Sequence, residues 1–216
     1  MRNSWKEALI GNYDAYLLLN DDTNVSNNLF EELKICHNYS LNNFNNSGIY
    51  IGSTNDGENN FTYGGSVVTS KFFNKYRALI PNGKVEECDL GNGNIMLVTK
   101  DVVNKIGIFS DAYTHGIADF DYTLTAKKNQ IPVLITENYC GICYDDNPYH
   151  YNKFIKLSFK ERKEYLFNPT GLAFSDQVRF MKKFYPYRLP FIYIAALVKL
   201  VAPNFYIRIN KLRKLV

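Results

Sequence analysis

Short apolar runs alternate with polar, turn-forming stretches between residues 13 and 136. Unbroken apolar runs are typical of strands buried on both faces of an α/β sheet. The pattern predicts strands at 13–19, 49–53, 85–90, 94–99 and 131–136 and helices at 4–11, 27–36, 101–106 and from near Asp121 onward. The Asn-rich stretch 38–47 is predicted to be a loop. Strands that alternate with helices indicate an α/β fold, with a mixed but mainly parallel sheet flanked by helices.

Composition places the chain among folded proteins. Its 216 residues are 46% hydrophobic and 15% aromatic, which excludes the disordered and collagen-like classes. A chain of this length can bury a sizeable core.

Charge is distributed unevenly along the chain. Residues 177–216 hold nine Lys or Arg and no Asp or Glu, so the overall charge of +4 leaves residues 1–176 with a net charge of −5. An acidic body argues against nucleic-acid binding, because phosphate contacts need a basic face. The change in charge at residue 176 predicts a folded domain at 1–176 and a basic, amphipathic helical tail at 177–216.

The tail predicts contact with a membrane surface. Its apolar run 191–202 is too short to span a bilayer, is interrupted by Lys199 and precedes a basic segment. We therefore expect peripheral attachment at the inner face of a membrane. A helix packed on the core remains an equal alternative.

The four cysteines predict a reducing, cytoplasmic location, since no signal-peptide pattern follows Met1. Cys140 and Cys143 form a single CxxC, whereas a closed zinc site needs four ligands. Buried thiols are the commoner interpretation, and the sequence leaves metal binding by this pair open.

Two clusters of carboxylates stand where chemistry is expected. Asn20, Asp21 and Asp22 follow a buried strand, and oxygen ligands at the carboxyl end of such a strand suit Mg²⁺ or Mn²⁺ with phosphate. Asp119 and Asp121 lie on a turn that enters a helix, where one could serve as a base. A solvated turn and simple helix capping are the alternatives.

Four segments in this order resemble the inverting family 2 glycosyltransferases, which have the GT-A fold. They are Ser4-Trp-Lys-Glu-Ala with the strand and motif ending at Asn20-Asp-Asp-Thr23, Tyr63-Gly-Gly65, Cys88-Asp-Leu-Gly-Asn-Gly-Asn94, and Thr114-His-Gly-Ile-Ala-Asp-Phe-Asp-Tyr122, which resembles the family's GxxDxDY turn. The resemblance extends from about Ser4 to Cys143.

The resemblance implies roles for particular residues. Asn20, Asp21 and Asp22 correspond to the cofactor-binding motif, with Asp22 as the metal ligand. Asp119 corresponds to the catalytic base and Asp121 to the second acidic position. On the acceptor side lie Asn92, Asn94 and His115.

The activity implied is transfer of a sugar, with inversion, from a nucleotide-sugar donor to a hydroxyl of a saccharide or lipid-linked acceptor. A divalent Mn or Mg ion would assist, and cell-surface polysaccharide synthesis is the usual setting of the family.

Family members place further β/α elements, which hold the nucleotide base, before the metal motif. In this sequence the motif begins at residue 20, so the resemblance implies a GT-A-like domain that is N-terminally truncated. We expect an exposed sheet edge and self-association through it as a homo-oligomer.

Two other functions stay open. A glycoside hydrolase would use paired carboxylates without a metal. A non-catalytic remnant would instead bind a partner or a membrane through the basic tail.

Overall fold

The structure, a computed structural model, describes residues 2–114, 117–144 and 151–214. The chain divides into two compact units, one formed by Met1–Ser110 with Ala118–Asp145 and the other by Asp111–Ile117 with Asp146–Val216. The predicted boundary at residue 176 falls inside a helix of the second unit.

A mixed sheet forms the centre of the first unit. Its strands are β1 (Ala15–Leu19), β2 (Asn24–Val25), β3 (Ile49–Asn55), β6 (Glu86–Glu87), β8 (Ile95–Thr99) and β9 (Val133–Ile142). The order is β1-β8-β3-β9-β2, and β6 also pairs with β9. In the described part of the chain, β1 pairs with β8 alone, so its other edge is open.

The sheet is mixed, as predicted, but it is not mainly parallel. Among the described strands only β3 and β9 pair in parallel, and β8 runs antiparallel between β1 and β3. Parallel neighbours need a crossover connection, usually a helix. No helix lies between β3 and β8, because the chain passes instead through β4 (Gly65–Ser70), β5 (Lys75–Ala78) and β7 (Leu90–Gly91).

These three strands form a small antiparallel sheet in the order β5-β4-β7. One strand is predicted over 85–90, whereas the structure has two short strands, β6 and β7, that join different sheets. The chain changes sheets at Cys88 and Asp89, whose backbone N–H groups donate to Val133 in one sheet and Ser66 in the other.

Helices cover both faces of the large sheet. One face packs against α1 (Arg2–Ala8), α3 (Lys100–Ile106) and α4 (Ala118–Lys128), with Trp5 buried between the rings of Phe109 and Tyr122. The other face packs against α2 (Leu29–Phe44) through Leu33 and Cys36. Ile49 and Ile51 of β3 belong to the hydrophobic cluster on one face of the sheet and Tyr50 to the cluster on the other, because successive side chains of a strand point to opposite faces.

Helix α2 extends through residues that were predicted to be a loop. Asn and Ser are weak helix formers, but tertiary packing overrides propensity. Leu33, Cys36 and Ser40 are all buried on one face, and the Ser40 hydroxyl donates to the Asn46 carbonyl at 2.7 Å. The helix ends at Asn45, which adopts the left-handed conformation with φ 49°.

The described part of the second unit is helical, as predicted for residues 177–216. Its helices are α5 (Tyr151–Lys156), α6 (Phe159–Phe167), α7 (Phe174–Phe184), α8 (Leu189–Val201) and α9 (Pro203–Lys214). Leu166, Phe174 and Ala196 form its core. Asp176 is buried and accepts hydrogen bonds from the backbone N–H and the hydroxyl of Thr114, at 2.9 and 2.7 Å. Among the described residues, no helix is both long and apolar enough to cross a membrane.

The packing of α2 can be tested by truncating one buried and one exposed leucine of this helix. Leu33 is buried, whereas Leu41 on the same helix is 44% exposed. Leu33→Ala should lower the free energy of unfolding of the first unit by about 2–5 kcal/mol, because it leaves a cavity in the core. Urea unfolding followed by the fluorescence of Trp5, the only tryptophan of the chain, measures this unit. Leu41→Ala is the matched control, and equal losses for the two variants would contradict the packing.

Candidate active site

The end of β1 meets the beginning of β8. Because β8 runs antiparallel to β1, the residue before β8 lies beside the residue after β1, and the Asn20 N–H donates to the Asn94 carbonyl at 3.0 Å. The three residues Asn92, Gly93 and Asn94, which we term the 92–94 segment, therefore lie directly against the predicted metal motif.

Asp22 reaches this segment through a cysteine. Its side chain is exposed, and Oδ1 accepts a hydrogen bond from the Cys143 thiol at an Oδ1 to Sγ distance of 3.8 Å. The same sulfur accepts a hydrogen bond from Nδ2 of the buried Asn94 at 3.3 Å. Cys143 directly follows β9, and its backbone N–H donates to the Asn55 carbonyl at the end of β3. The ends of β1, β3 and β9 are thus joined at one place.

Asp119 reaches the segment directly. It lies in the first turn of α4, and its carboxylate accepts hydrogen bonds from the Gly93 N–H at 3.1 Å and the Phe120 N–H at 2.8 Å. Burial raises the pKa of Asp119 to about 6, although these two backbone N–H groups act in the opposite direction. A carboxyl with such a pKa is ionised near neutral pH yet basic enough to accept a proton.

The two aspartates predicted to act on one substrate are therefore both linked to the 92–94 segment, Asp119 directly and Asp22 through Cys143. Asp119 binds Gly93, and Asp22 contacts the thiol that binds the adjacent Asn94. They lie far apart in sequence, and the antiparallel direction of β8 places Asn94 beside Asn20, close in sequence to Asp22.

The Tyr63-Gly-Gly65 segment, one of the four on which the family resemblance depends, contacts the other end of the 92–94 segment. Two hydrogen bonds join Gly64 and Asn92: the Asn92 N–H donates to the Gly64 carbonyl at 3.0 Å, and the Gly64 N–H donates to the side-chain Oδ1 of Asn92 at 3.4 Å. Gly91 lies so close to Ile51 that a Cβ atom would come within 2.6 Å of the Ile51 side chain. Glycine therefore permits the segment to lie against the sheet.

The side chains of Asp121 and Asp119 point in different directions. Residues two apart on an α-helix point about 200° apart, and Asp121 is buried. Its position suits support of the α4 turn better than contact with a substrate. The predicted acceptor-side residue His115 lies outside the described residues.

An open groove of about 560 Å³ follows the unpaired edge of β1. It reaches the site at Asn20 and Asp21, whereas Asp22 and Asp119 are not among its lining residues. The backbone contacts of Asn20 with Asn94 and of Asp14 with Lys100 show that alternate residues of β1 face β8. Ala15, Leu17 and Leu19 therefore direct their backbone groups toward the groove.

The oxygen donors of the metal motif suit a divalent ion that shares its coordination with phosphate. Asp22 offers an exposed carboxylate, and Asn20 and Asp21, the two residues before it in the sequence, also carry side-chain oxygen atoms. The described residues include no group of three or more His, Cys, Asp or Glu that could enclose an ion. Mg²⁺ is usually held by one or two carboxylates together with waters and substrate phosphates, and this donor set fits that arrangement.

Sequence reasoning missed the place of Cys143, which it paired with Cys140. The two thiols have different partners, since Cys140 contacts Thr136 and Asn138 while Cys143 contacts Asp22 and Asn94. The predicted strand 131–136 ends seven residues before Cys143, whereas β9 continues to Ile142, so the apolar pattern did not indicate this contact.

The contact between Asp22 and Cys143 can be tested by thiol reactivity. Burial raises the pKa of Cys143, and the negative charge of Asp22 raises it further. Asp22→Asn removes that charge, so iodoacetamide should alkylate Cys143 faster, because the thiolate is the reactive form. Peptide mass spectrometry gives the rate for this single cysteine. Asp21→Asn removes a charge one residue away and should leave the rate nearly unchanged; equal acceleration by both variants would argue against the contact.

Comparisons with known proteins add no assignment: no protein-family model matches the chain, and no curated protein matches it.

Proposed function

We propose that the first unit is a metal-dependent, inverting glycosyltransferase domain of the GT-A type that uses a nucleotide-sugar donor. The observation that carries the proposal is the chain of hydrogen bonds that links both aspartates to the 92–94 segment, from Asp119 to Gly93 and from Asp22 through Cys143 to Asn94. The two carboxylates have different environments, one exposed to solvent and one partly withdrawn from it. Such a difference suits a metal ligand and a base.

Asp119 is the proposed general base. Its carboxylate takes the proton of an acceptor hydroxyl while the hydroxyl oxygen forms a bond to the anomeric carbon of the donor sugar. The bond from that carbon to the diphosphate oxygen breaks on the opposite face, and the nucleoside diphosphate leaves with the bonding electrons. The product has inverted configuration. The hydrogen bond from Gly93 fixes the carboxylate while it receives the proton.

Asp22, with Asn20 and Asp21 beside it, is the proposed site for a divalent ion and the donor diphosphate. When bound, the ion supplies Lewis-acid stabilisation of the charge that develops on the leaving diphosphate. The Cys143 thiol holds Asp22 toward the 92–94 segment by donating to its carboxylate. The proposed acceptor is a saccharide or a lipid-linked sugar, and cell-surface polysaccharide synthesis is the proposed setting.

The proposal is tested by incubating the full chain with Mn²⁺ and a panel of uridine, thymidine and guanosine diphosphate sugars. Alkyl glycosides serve as acceptors, and released nucleoside diphosphate is measured. We expect release from at least one donor, abolished by EDTA, and a product whose new linkage is inverted by NMR. Glycoside cleavage that survives EDTA would favour a hydrolase instead. The absence of Mn²⁺-dependent binding of every donor in calorimetry would favour a non-catalytic protein.

Substitution of the two aspartates should have different effects. Asp119→Asn should lower kcat roughly 100- to 10,000-fold with donor affinity nearly unchanged, because general base catalysis is lost. Asp22→Ala should weaken Mn²⁺-dependent donor binding, measured by calorimetry. Asp101→Asn is the control for the first, since Asp101 is the second residue of α3 as Asp119 is of α4. Glu58→Gln, at an exposed carboxylate, is the control for the second.

The pH dependence of sugar transfer should follow the ionisation of the proposed base, Asp119. A carboxyl accepts a proton only when ionised, and the pKa of Asp119 is raised to about 6. kcat/KM should therefore rise with pH through about 6 and level off above it. An acidic limb that persists unchanged in the residual activity of Asp119→Asn would assign the titration to another group.

A further inference from the structure

One side of α8 is apolar and exposed. Residues whose spacing places them on one face of this helix are 57–66% exposed, namely Phe191, Ile194, Leu197 and Val201. We term these four residues the α8 stripe. Monomeric proteins rarely expose contiguous apolar patches of this kind unless the patch binds something.

The opposite side of α8 is the side that packs. Ala196 and Lys199 are buried, and Ala196 belongs to the core of the second unit. Lys199 turns its ammonium over the ring of Tyr206 at 5.0 Å, so the cation that interrupts the apolar run in the sequence does not interrupt the α8 stripe. The stripe is therefore apolar along its whole length, and core packing does not account for it.

Exposed apolar residues continue into α9 with a cation beside them. Phe205 is 58% exposed and Ile209 38% exposed, at a spacing of one helical turn, and Arg208 between them is exposed too. Lys182 and Lys183 on α7 are also exposed. Residues 177–216 contain no Asp or Glu, so these cations belong to a segment of uniformly positive charge.

We propose that the α8 stripe and the exposed residues of α9 form a docking surface for an anionic lipid bilayer. Helix α8 has 13 residues, about 20 Å of helix, which suits a helix lying in the interface rather than across the membrane. Apolar side chains enter the boundary of the acyl chains, and Lys and Arg attract anionic headgroups. The absence of any acid among residues 177–216 favours this occupant over a protein partner, because each cation near an anionic surface strengthens binding roughly fivefold.

The test is co-sedimentation of the full chain with vesicles of phosphatidylcholine that contain 30% phosphatidylglycerol, a composition chosen as roughly that of an anionic leaflet. Wild-type protein should sediment with these vesicles and much less with pure phosphatidylcholine, and high salt should weaken binding. Leu197→Glu should lower the partition coefficient at least about tenfold, because it puts a charge where an apolar side chain enters the bilayer. Arg208→Ala should lower it about fivefold.

Controls on α6 separate the proposal from a general surface effect. Phe159→Glu changes an exposed phenylalanine of the same unit, and Lys160→Ala removes an exposed cation from it. Both should bind vesicles nearly as well as wild type, and circular dichroism checks that every variant is folded. The readout needs no sugar transfer, so it is independent of the proposed enzyme activity.

Equal binding by Leu197→Glu and wild type would overturn the proposal, as would equal binding to neutral vesicles. Sedimentation velocity gives the third decisive result. If wild type dimerises, Leu197→Glu is monomeric and neither binds vesicles, then a second copy of the chain covers the stripe and the bilayer does not.

Discussion

The direction of β8 is the constraint on which the site depends. A strand inserted antiparallel between β1 and β3 begins where both of its neighbours end. The residues that precede β8 therefore lie at the carboxyl ends of β1 and β3, together with the residue that follows β9. If β8 ran parallel to its neighbours, the residues before it would lie at the opposite end of the strands, and the 92–94 segment would be far from Asp22. The small sheet of β4, β5 and β7 takes the place of a crossover helix and makes this direction possible.

Irregular pairing of β9 completes the arrangement. The register shifts between Ile51 and Thr54 of β3, so that β9 uses more residues than β3 over the same distance. Extra residues in a strand leave backbone groups without a ladder partner. The buried carboxylate of Glu32 on α2 accepts the N–H of Asn138 at 3.0 Å and its side-chain amide at 2.8 Å. Helix α2 thereby holds the irregular strand β9 in place, and Cys143 directly follows the end of that strand.

The two aspartates differ because their elements differ. Asp22 follows an edge strand in a polar turn, where solvent stabilises its charge. Asp119 begins a helix that packs on the sheet, where burial opposes ionisation and two backbone N–H groups favour it. One fold thus gives the same side chain two chemical characters at neighbouring positions. In the second unit the ammonium of Lys199 lies over the Tyr206 ring, and the apolar side of α8 faces solvent.

The sequence by itself determined the central strands, since short apolar runs bounded by turn-forming residues, such as 15–19 and 95–99, are typical of strands in a sheet. It also determined the basic helical segment and the two acidic clusters. Tertiary structure decided the direction of β8, the extension of α2 to Phe44 and the place of Cys143. A strand buried on both faces has the same apolar pattern whether it runs parallel or antiparallel to its neighbours, so local composition cannot encode its direction. The connections and the packing around the strand fix that direction.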